Sequence, residues 1–468
     1  MSISEARIAE IVKEVTAQGM GSGTVSSAGS DGIFDDINEA IAAAKKAQKE
    51  LAGFSLEKRG VLIEAMRKAA RENAERLSKM ANEETGYGRV EDKIAKHLLV
   101  ADKTPGIEDL KAQAFTGDHG LTLVECAPYG VIGAITPSTN PSSTIINNSI
   151  GMIAAGNSVV FNPHPAAKRV TCEAIAVMNR AIVAAGGPAN LLVSAKEPTM
   201  DTSKVIMSSP DIKLLAVTGG EAVVAVAMKS GKKCISAGPG NPPVIVDETA
   251  NIKEAAKHIV AGASFDNNIL CIAEKEIIVV DSVADELIRE MVKCGCYLAN
   301  RFETEKIVET VVVKNKEGKA SPNKKFVGKC ANVILEAAGI RPTEDHKVVI
   351  MDTDFDHVLV HTEMLMPVVP VVRVKNVEEA IAKAVIAEHE CHHTAMMHSE
   401  NVNNLTAAAR ALDTTIFVKN APSYAGVGFN GEGYATLTIS TPTGEGLTSA
   451  KNFSRSRRCT MYGAFRIV

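Results

Sequence analysis

The sequence of 468 residues has no long hydrophobic run, no excess of either charge and no regular cysteine frame. One of its most apolar stretches, residues 150–161, is interrupted by Asn157 and Ser158, whereas a membrane-spanning helix needs about 20 apolar residues. Lys and Arg total 51 against 55 Asp and Glu, a net charge of −4, and nucleic-acid-binding proteins normally have a basic excess. We therefore expect a globular protein that binds neither nucleic acid nor a membrane.

The cysteines give information about the cellular compartment. Nine of them are scattered along the chain, and this odd count in a long chain favours reduced thiols in the cytoplasm, one of which can be a nucleophile. The first residues include Glu5, Glu10 and Glu14 and no continuous apolar segment, so we expect no secretory signal.

The first 18 residues predict a separate amphipathic helix. Ile8, Ile11, Val12 and Val15 have the i, i+3, i+4, i+7 spacing of one apolar stripe. Nine of the fourteen residues 19–32 are Gly or Ser, which predicts a flexible linker, and we place its end at residue 34. A helix this short is marginally stable alone, so we expect its stripe to bind a groove on a partner. Packing of the helix on its own domain is the alternative.

The rest of the chain alternates between short apolar runs and helical patterns. This alternation predicts an α/β fold with doubly wound parallel sheets, and a second alternation begins after residue 243. Residues 314–329 carry six Lys and predict a solvated loop, or else a contact for a phosphorylated ligand. We expect strands at 131–135, 158–162, 191–194, 214–218, 244–246, 276–280 and 368–374, and helices at 38–51, 58–81, 142–155, 166–185, 221–230, 252–263, 284–291 and 377–387.

Ligands of such sheets bind beyond the carboxyl ends of the strands. This rule places residues 136–140, 162–165 and 218–220 around one crevice. No G-x-G-x-x-G follows a strand, so the common dinucleotide fingerprint is absent. The turn at 218–220 nevertheless lies between a strand and a helix, whose N-terminus could hold a pyrophosphate.

Two groups of residues could take part in a reaction or bind a metal. Cys271 lies in a polar turn, where a thiol can be partly exposed and close to donors, although an inert buried cysteine is the alternative. His389, Cys391, His392 and His393 cluster, but no second ligand pair accompanies them, so we expect no metal. A single histidine acting as an acid or base is the more plausible interpretation.

Six motifs that occur in a fixed order are more specific than any of these features: ITPSTNP (135–141), AAGNSVVFNPHP (154–165), VTGG (217–220), GPGNPPVIVD (238–247), FDNNILCIAEKE (265–276) and TEMLMPVVPVVRV (362–374). From about residue 35 onwards the chain resembles the aldehyde dehydrogenase superfamily, and more closely its CoA-acylating branch. The resemblance implies a Rossmann-type NAD-binding domain over 35–243 with an oligomerisation strand near 114–127. A catalytic domain over 244–440 and an oligomerisation tail over 441–468 follow, in a homodimer or homotetramer.

The resemblance also implies roles for individual residues. Cys271 matches the nucleophile that attacks the aldehyde, and Asn140 matches the amide that binds the resulting oxyanion together with a backbone N–H. His393 matches a histidine of acylating members that could deprotonate CoA, although the neighbouring His392 makes the assignment ambiguous. Glu363 matches the carboxylate that binds the nicotinamide ribose. The other cofactor-binding positions implied are Thr136, Pro137, Ser138, Asn162, Pro163, His164, Thr218, Gly219, Gly220, Gly238 and Leu365.

Departures from the hydrolytic members define the expected reaction. Their E-L-G-G-K motif carries the glutamate that activates water, whereas residues 236–241 here contain no carboxylate. We therefore expect CoA to accept the acyl group, as in the conversion of propanal or acetaldehyde to its acyl-CoA with NAD. The K-P-S-E lysine that holds the adenosine ribose is also missing, which leaves NADP open. The alternatives are a hydrolytic NAD(P)-dependent aldehyde or semialdehyde dehydrogenase and an inactive cargo adaptor.

The predicted N-terminal helix and linker look like the encapsulation peptides of aldehyde dehydrogenases housed in bacterial microcompartments. The resemblance implies that residues 1–18 bind a shell protein and that the enzyme works inside such a compartment in the cytoplasm.

Overall fold

A computed structural model describes residues 31–315 and 318–468. The helices of these residues are α1 (Ile37–Leu51), α2 (Leu56–Thr85), α3 (Val90–Lys103), α4 (Pro141–Ala154), α5 (Lys168–Ala184), α6 (Met200–Ser208), α7 (Glu221–Met228), α8 (Ile252–Ser264), α9 (Asp281–Lys293), α10 (Arg301–Val311), α11 (Ala331–Ala337), α12 (Val377–Ala387) and α13 (Val402–Leu412). None of them is both long and apolar enough to cross a membrane.

The strands form two large sheets and three small ones. They are β1 (Ile33–Phe34), β2 (Gln113–Gly117), β3 (Gly120–Pro128), β4 (Val131–Ile135), β5 (Ser158–Asn162), β6 (Leu192–Ala195), β7 (Ile212–Thr218), β8 (Lys233–Ala237), β9 (Pro243–Val246), β10 (Glu276–Val280), β11 (Cys296–Ala299), β12 (Val312–Lys314), β13 (Ala320–Pro322), β14 (Val348–Thr353), β15 (Val368–Val374), β16 (Thr394–His398), β17 (Ile416–Lys419), β18 (Ile439–Ser440), β19 (Gly446–Leu447) and β20 (Ser454–Tyr462).

The first large sheet has the order β1-β6-β5-β4-β7-β8, and all of its strands are parallel. Alternate residues of β4 point to opposite faces. Ile132 packs into a core with α2, α4 and α5, whereas Val131 and Ile135 pack into a core with α1 and α6. Strands covered on both faces read as continuous apolar runs, which is why the sequence predicted them well.

The second large sheet has the order β11-β14-β15-β10-β9-β16-β17 and is also parallel throughout. Helix α8 packs on one of its faces and α12 on the other. The chain passes from the first sheet to the second between Ala237 and Pro243, next to the boundary expected at residue 243. The doubly wound α/β fold expected from the sequence is confirmed.

A three-stranded antiparallel sheet projects from these layers. Its order is β2-β3-β20, and all nine residues of β20 pair with β3. The residues expected to mediate oligomerisation, 114–127 and the C-terminal tail, thus lie side by side in one sheet. Residues 455–462 of β20 are exposed.

The structure corrects three expectations. The predicted linker does not extend to residue 34, because Ile33 and Phe34 pair with β6 and bury Phe34 in the core. The lysine-rich segment 314–329 is not only a loop, since β12 and β13 form a hairpin across it. The predicted catalytic domain does not extend to residue 440. The chain returns to the domain of the first large sheet before that point, since the N–H of Ala435 donates to the carbonyl of Lys103 at 2.9 Å. The predicted helix 1–18 and the linker up to residue 30 lie outside the described residues.

Candidate active site

The loop that carries Cys271 begins with an unusual backbone conformation. Three consecutive residues between α8 and β10, Asp266, Asn267 and Asn268, have φ values of 48°, 55° and 62°. Side chains other than those of Asn and Asp rarely adopt this left-handed region, and three such residues in succession are strained. Strain of this kind persists only where surrounding contacts impose it.

The polar side chains of this turn supply those contacts. Asn267 donates to the carbonyl of Gly328 at 2.9 Å, and Asn268 donates to the carbonyls of Ala263 and Glu274 at 3.0 and 2.9 Å. All three side chains are buried, so losing these bonds would leave polar groups unpaired. The D-N-N sequence therefore fixes the direction in which the chain enters the nucleophile loop.

Lys275 holds the other side of the same loop. Its buried ammonium donates to the carbonyl and the side-chain oxygen of Asn268, at 3.0 and 2.6 Å, and to the carbonyl of Leu270 at 3.1 Å. Burial lowers the pKa of Lys275, while nearby Glu363 and Cys271 oppose that shift. The lysine thus closes a short loop around Cys271.

Half-buried Cys271 opens onto a small apolar pocket that contains one buried amine, that of Lys96. The pocket is formed by residues of α3, the nucleophile loop and the segment after β17, which converge at the junction of the two large sheets. Its lining residues are Lys96, Leu99, Asn140, Phe265, Leu270, Cys271, Ile272, Tyr424, Val427, Phe429, Thr436, Leu437 and Ile439.

Asn140 reaches this pocket from the other large sheet. It is the residue immediately before α4, at the end of the segment that follows β4. Its side-chain oxygen accepts a hydrogen bond from Lys96, and its side-chain nitrogen makes a long contact of 3.5 Å with Thr139. The structure therefore brings Cys271 and Asn140 to one pocket, as the sequence resemblance implied.

The thiol of Cys271 is protonated in the resting protein. Burial, together with the negative charge of Glu363, raises the pKa of Cys271 to about 12, although nearby Lys275 opposes the shift. Burial also raises the pKa of Glu363 to about 7, while Lys275 and the N–H of Gly240 favour its ionised form. The nucleophile consequently needs a change in its surroundings, or a base, before it can react as a thiolate.

The two neighbouring histidines point in different directions. His393 is fully buried, and a Cβ added at Gly240 would lie 2.9 Å from its Cγ and 3.1 Å from the carbonyl oxygen of Cys271. Among the described residues its Nε2 has no partner, while Nδ1 lies 2.8 Å from the hydroxyl of Thr394. His392 is exposed, with Nδ1 3.1 Å from the carbonyl of Asp413.

Burial lowers the pKa of His393 to about 4, and Lys275 lowers it further. The imidazole is therefore neutral at physiological pH, so one ring nitrogen carries a lone pair, and the lowered pKa makes it a weaker base than an exposed histidine. The ring of His389 lies against His361 instead, with 5.5 Å between the ring centroids. The histidine cluster in the sequence is thus divided between the interior and the surface.

The residues expected to bind the cofactor lie at the carboxyl ends of strands in the first sheet and in adjacent loops. Residues 136–138 follow β4, 163–164 follow β5, 219–220 follow β7 and Gly238 follows β8. Asn162 and Thr218 end their own strands. Glu363 and Leu365 lie in the loop between β14 and β15, on the second sheet. The crevice is therefore bordered by loops of both large sheets.

Individual groups in this crevice fit a dinucleotide. The hydroxyl of Thr136 is buried without a partner among the described residues, and Gly220, the N-cap of α7, provides no side-chain cap, so the first N–H groups of this helix can face an anion. The side chain of Asn162 is occupied, since its oxygen accepts from Thr202 at 2.6 Å. His164 is exposed.

Sequence reasoning missed a buried cluster of basic residues beside the site, of which Lys96 lines the pocket. Lys93, Lys96 and His97 follow the i, i+3, i+4 spacing of one helix face, and all three are buried in α3. A charged helix face is normally solvated, so the pattern gave no sign of burial. Asp266, the acidic residue of the D-N-N motif, could have indicated these basic residues, because a buried carboxylate requires a cationic partner.

A sequence model of the aldehyde dehydrogenase family matches residues 19–434 of this chain. The chain belongs to the aldehyde dehydrogenase family. It is 52% identical to the acetylating acetaldehyde dehydrogenase of Salmonella typhimurium over 440 residues. These matched residues make up 93% of this chain and 94% of that protein. A CoA-propanoylating propanal dehydrogenase of the same organism is 48% identical over 437 residues, 93% of each chain.

Solved structures agree with these matches. The propionaldehyde dehydrogenase from the fucose utilisation microcompartment of Clostridium phytofermentans has a TM-score of 0.91 and 50% identity, covering 93% of this dehydrogenase and all of that chain. A propionaldehyde dehydrogenase of Rhodopseudomonas palustris, with bound CoA and an acylated cysteine, has a TM-score of 0.91 and 47% identity, covering 94% of this dehydrogenase and all of that chain. The resemblance to the CoA-acylating branch is confirmed.

Proposed function

We propose that this dehydrogenase reversibly converts a short, uncharged aldehyde, acetaldehyde or propanal, with NAD and CoA to the acyl-CoA and NADH. The observation that carries the proposal is the convergence of Cys271 and Asn140 on one apolar pocket. Its single lysine, Lys96, is already paired with Asp266, so the pocket offers no free cation to the carboxylate of a semialdehyde acid. Relatives that act on acetaldehyde and propanal support the same substrate class.

In the first step the Cys271 thiol gives up its proton to solvent, its sulfur bonds to the aldehyde carbon, and the π electrons of the C=O bond move to the oxygen, which becomes an oxyanion. The side-chain amide of Asn140 and the backbone N–H of Cys271 would donate to that oxygen. Each preorganised donor lowers such a barrier by about 3–4 kcal/mol. A nicotinamide cofactor, when bound, supplies the acceptor for the hydride. Loss of hydride from the carbon leaves a thioester on Cys271.

In the second step CoA takes the acyl group from Cys271. The segment that carries a water-activating glutamate in hydrolytic relatives has Ser236 and Gly240 here, and Gly240 packs against His393 and the carbonyl of Cys271. We assign Nε2 of His393 as the acceptor of the CoA thiol proton, since it is buried and lacks a partner among the described residues. The CoA sulfur then bonds to the acyl carbon while the bond from that carbon to the Cys271 sulfur breaks, and the departing Cys271 thiolate takes the proton from His393 to become the thiol.

A CoA-dependent assay tests the reaction. NADH formation from acetaldehyde and propanal is followed with and without CoA, and the acyl product is identified by mass spectrometry. We expect sustained turnover only with CoA, and acyl-CoA as the product. Free carboxylic acid formed at the same rate without CoA would establish the hydrolytic alternative, while no NADH under either condition would support the inactive adaptor. Replacing NAD by NADP in the same assay measures the cofactor preference.

We also propose that residues 1–18 bind a microcompartment shell protein. The support is the sequence stripe of Ile8, Ile11, Val12 and Val15 and the microcompartment origin of a relative with 50% identity. Deleting residues 1–18 should leave aldehyde kinetics nearly unchanged, and fusing them to a fluorescent protein should direct it to shells in a host that makes them. Changing Ile11 and Val15 to Glu should cancel targeting, because two charges on the stripe are costly to bury. A large loss of activity on deletion would contradict the proposal.

A further inference from the structure

We infer that Lys96 is a positioning residue that aims the amide of Asn140 at the reacting carbonyl oxygen. The inference deepens the proposed function and rests on it, because it assumes that Asn140 binds the oxyanion. It concerns a residue outside the six sequence motifs. Lys96 lies on α3, whereas Asn140 and Asp266, its two partners, lie 44 and 170 positions away along the chain.

The contacts of Lys96 are all internal. The residue is 3% exposed, and its ammonium donates both to the carboxylate of Asp266 and to the side-chain oxygen of Asn140. Lys96 also lines the pocket onto which Cys271 opens. The ammonium thus lies between the turn that carries the nucleophile and the residue that begins α4.

The chemistry of an ammonium group determines which way the Asn140 amide faces. An ammonium has three donors and no acceptor, so it donates to the oxygen of an amide and cannot bond to the NH2 group. The oxygen of Asn140 is therefore held at Lys96, and its NH2 group must face away. Among the described residues that NH2 group makes only the 3.5 Å contact with Thr139, which leaves it available to an oxyanion.

Asp266 makes this arrangement compatible with burial. An unpaired buried ammonium would be costly, but the carboxylate of Asp266 compensates its charge. Asp266 is also the first residue of the strained turn that leads to Cys271, and it accepts a bond from the N–H of Arg89 at 2.7 Å. One chain of hydrogen bonds consequently links the position of the nucleophile to the orientation of the oxyanion donor.

Lys93 provides a matched control on the same helix. It is buried to the same degree as Lys96 and lies 3.1 Å from the same oxygen of Asp266, but it has no hydrogen bond to Asn140 among the described residues. Removing either lysine leaves Asp266 with one cationic partner. A purely structural role would therefore give both lysines similar effects, whereas a positioning role gives Lys96 a larger one.

The experiment measures the NADH burst and the steady state of Lys96→Met, Lys93→Met, Asn140→Ala and the double variant Lys96→Met/Asn140→Ala, with melting temperatures for all four. We expect Lys96→Met to slow the burst about 10- to 100-fold, within the range for an oxyanion donor, with little change in the KM for aldehyde. Lys93→Met should slow it no more than about threefold. The double variant should be no slower than Asn140→Ala, because the group that Lys96 positions is then absent.

Three results separate this inference from the proposed function. Additive losses in the double variant, or equal losses in Lys96→Met and Lys93→Met, would overturn the inference while leaving the oxyanion role of Asn140 intact. An unchanged burst in Asn140→Ala would overturn that role as well. If Lys96→Met does not fold, the same cycle is run with Lys96→Gln, which keeps an N–H donor, and non-additivity is again the expected result.

Discussion

Cys271 and Glu363 are coupled electrostatically, because the ionised carboxylate of Glu363 makes ionisation of the Cys271 thiol less favourable. Burial already disfavours both anions, and the charge of Glu363 raises the pKa of Cys271 further, to about 12. The resting thiol is therefore protected from adventitious alkylation and oxidation, because the thiolate is the reactive form. A ligand that neutralises or displaces the carboxylate would remove part of this protection.

This coupling predicts faster alkylation of Cys271 in Glu363→Gln. Removing the negative charge lowers the thiol pKa, so at any pH below that pKa the thiolate fraction rises. We expect the alkylation rate by iodoacetamide at pH 8.5, where Glu363 is ionised, to rise about three- to tenfold. Peptide mass spectrometry is the appropriate measurement, because Cys330 and Cys459 are exposed and react as well. An unchanged rate at Cys271 would mean that the carboxylate does not act on the thiol.

The opposite orientations of His392 and His393 predict different kinetic effects. His393→Ala should retain the NADH burst but reduce the CoA-dependent steady state about 100-fold, because only deacylation uses its Nε2 as a base. His392→Ala is the matched control and should remain near wild type, since its ring lies on the surface beside Asp413. Equal damage to both phases in His393→Ala, or damage confined to His392→Ala, would refute the assignment.

At the scale of elements, the turn before Cys271 depends on a neighbouring glycine. A Cβ added at Gly88 would lie 1.8 Å from a carboxylate oxygen of Asp266, so only glycine lets this carboxylate approach the backbone between α2 and α3. Gly88 has a φ of +68°, which also favours glycine. The position of the nucleophile is thus controlled partly by a residue that has no side chain.

Gly88→Ala should therefore displace Asp266 and reduce turnover at least about tenfold, because a misplaced reacting group weakens catalysis steeply. Gly86→Ala is a close control: Gly86 has the same φ of +68°, but a Cβ there would meet only the flexible end of Lys329. It should cost about 1–2 kcal/mol of stability with turnover retained. Turnover rates and denaturant unfolding of both variants test this, and equal turnover would show that the contact between Gly88 and Asp266 is not needed.

At the scale of the whole molecule, the sheet of β2, β3 and β20 extends away from both crevice-forming sheets. It is antiparallel and largely exposed, with Thr122 and Thr460 joined across its strands at 3.0 Å. Exposed strand edges are sites at which a second chain can add. We propose that this sheet holds the homodimer or homotetramer together.

Removing residues 454–468 should dissociate that oligomer, because β20 would be absent and β3, still paired with β2, would lose its partner on the other side. Light scattering coupled to size exclusion would then report a smaller species or aggregates. Removing only residues 463–468, which follow β20, is the control and should leave the assembly intact. A full-length mass for the longer truncation would contradict the role of this sheet.

The sequence alone predicted much of the fold, for a local reason. Strands buried on both faces appear as continuous apolar runs, so β4, β5, β10 and β15 have the predicted bounds, as does α12. The short strand β1 was missed because two residues at the edge of a sheet carry almost no periodic signal. The identity of the reacting groups came from motifs whose chemistry is specific, above all Cys271 and Asn140.

Only the tertiary structure decided how these groups are arranged. Lys96, Asn140 and Asp266 come from three distant segments, and no local pattern shows that a charged helix face is buried against them. Two adjacent histidines are equivalent in sequence, and they differ only because the chain turns between an exposed loop and the start of β16. The sequence therefore determined which chemical groups are present, whereas burial and long-range contacts determined which of them share the pocket and how each is oriented.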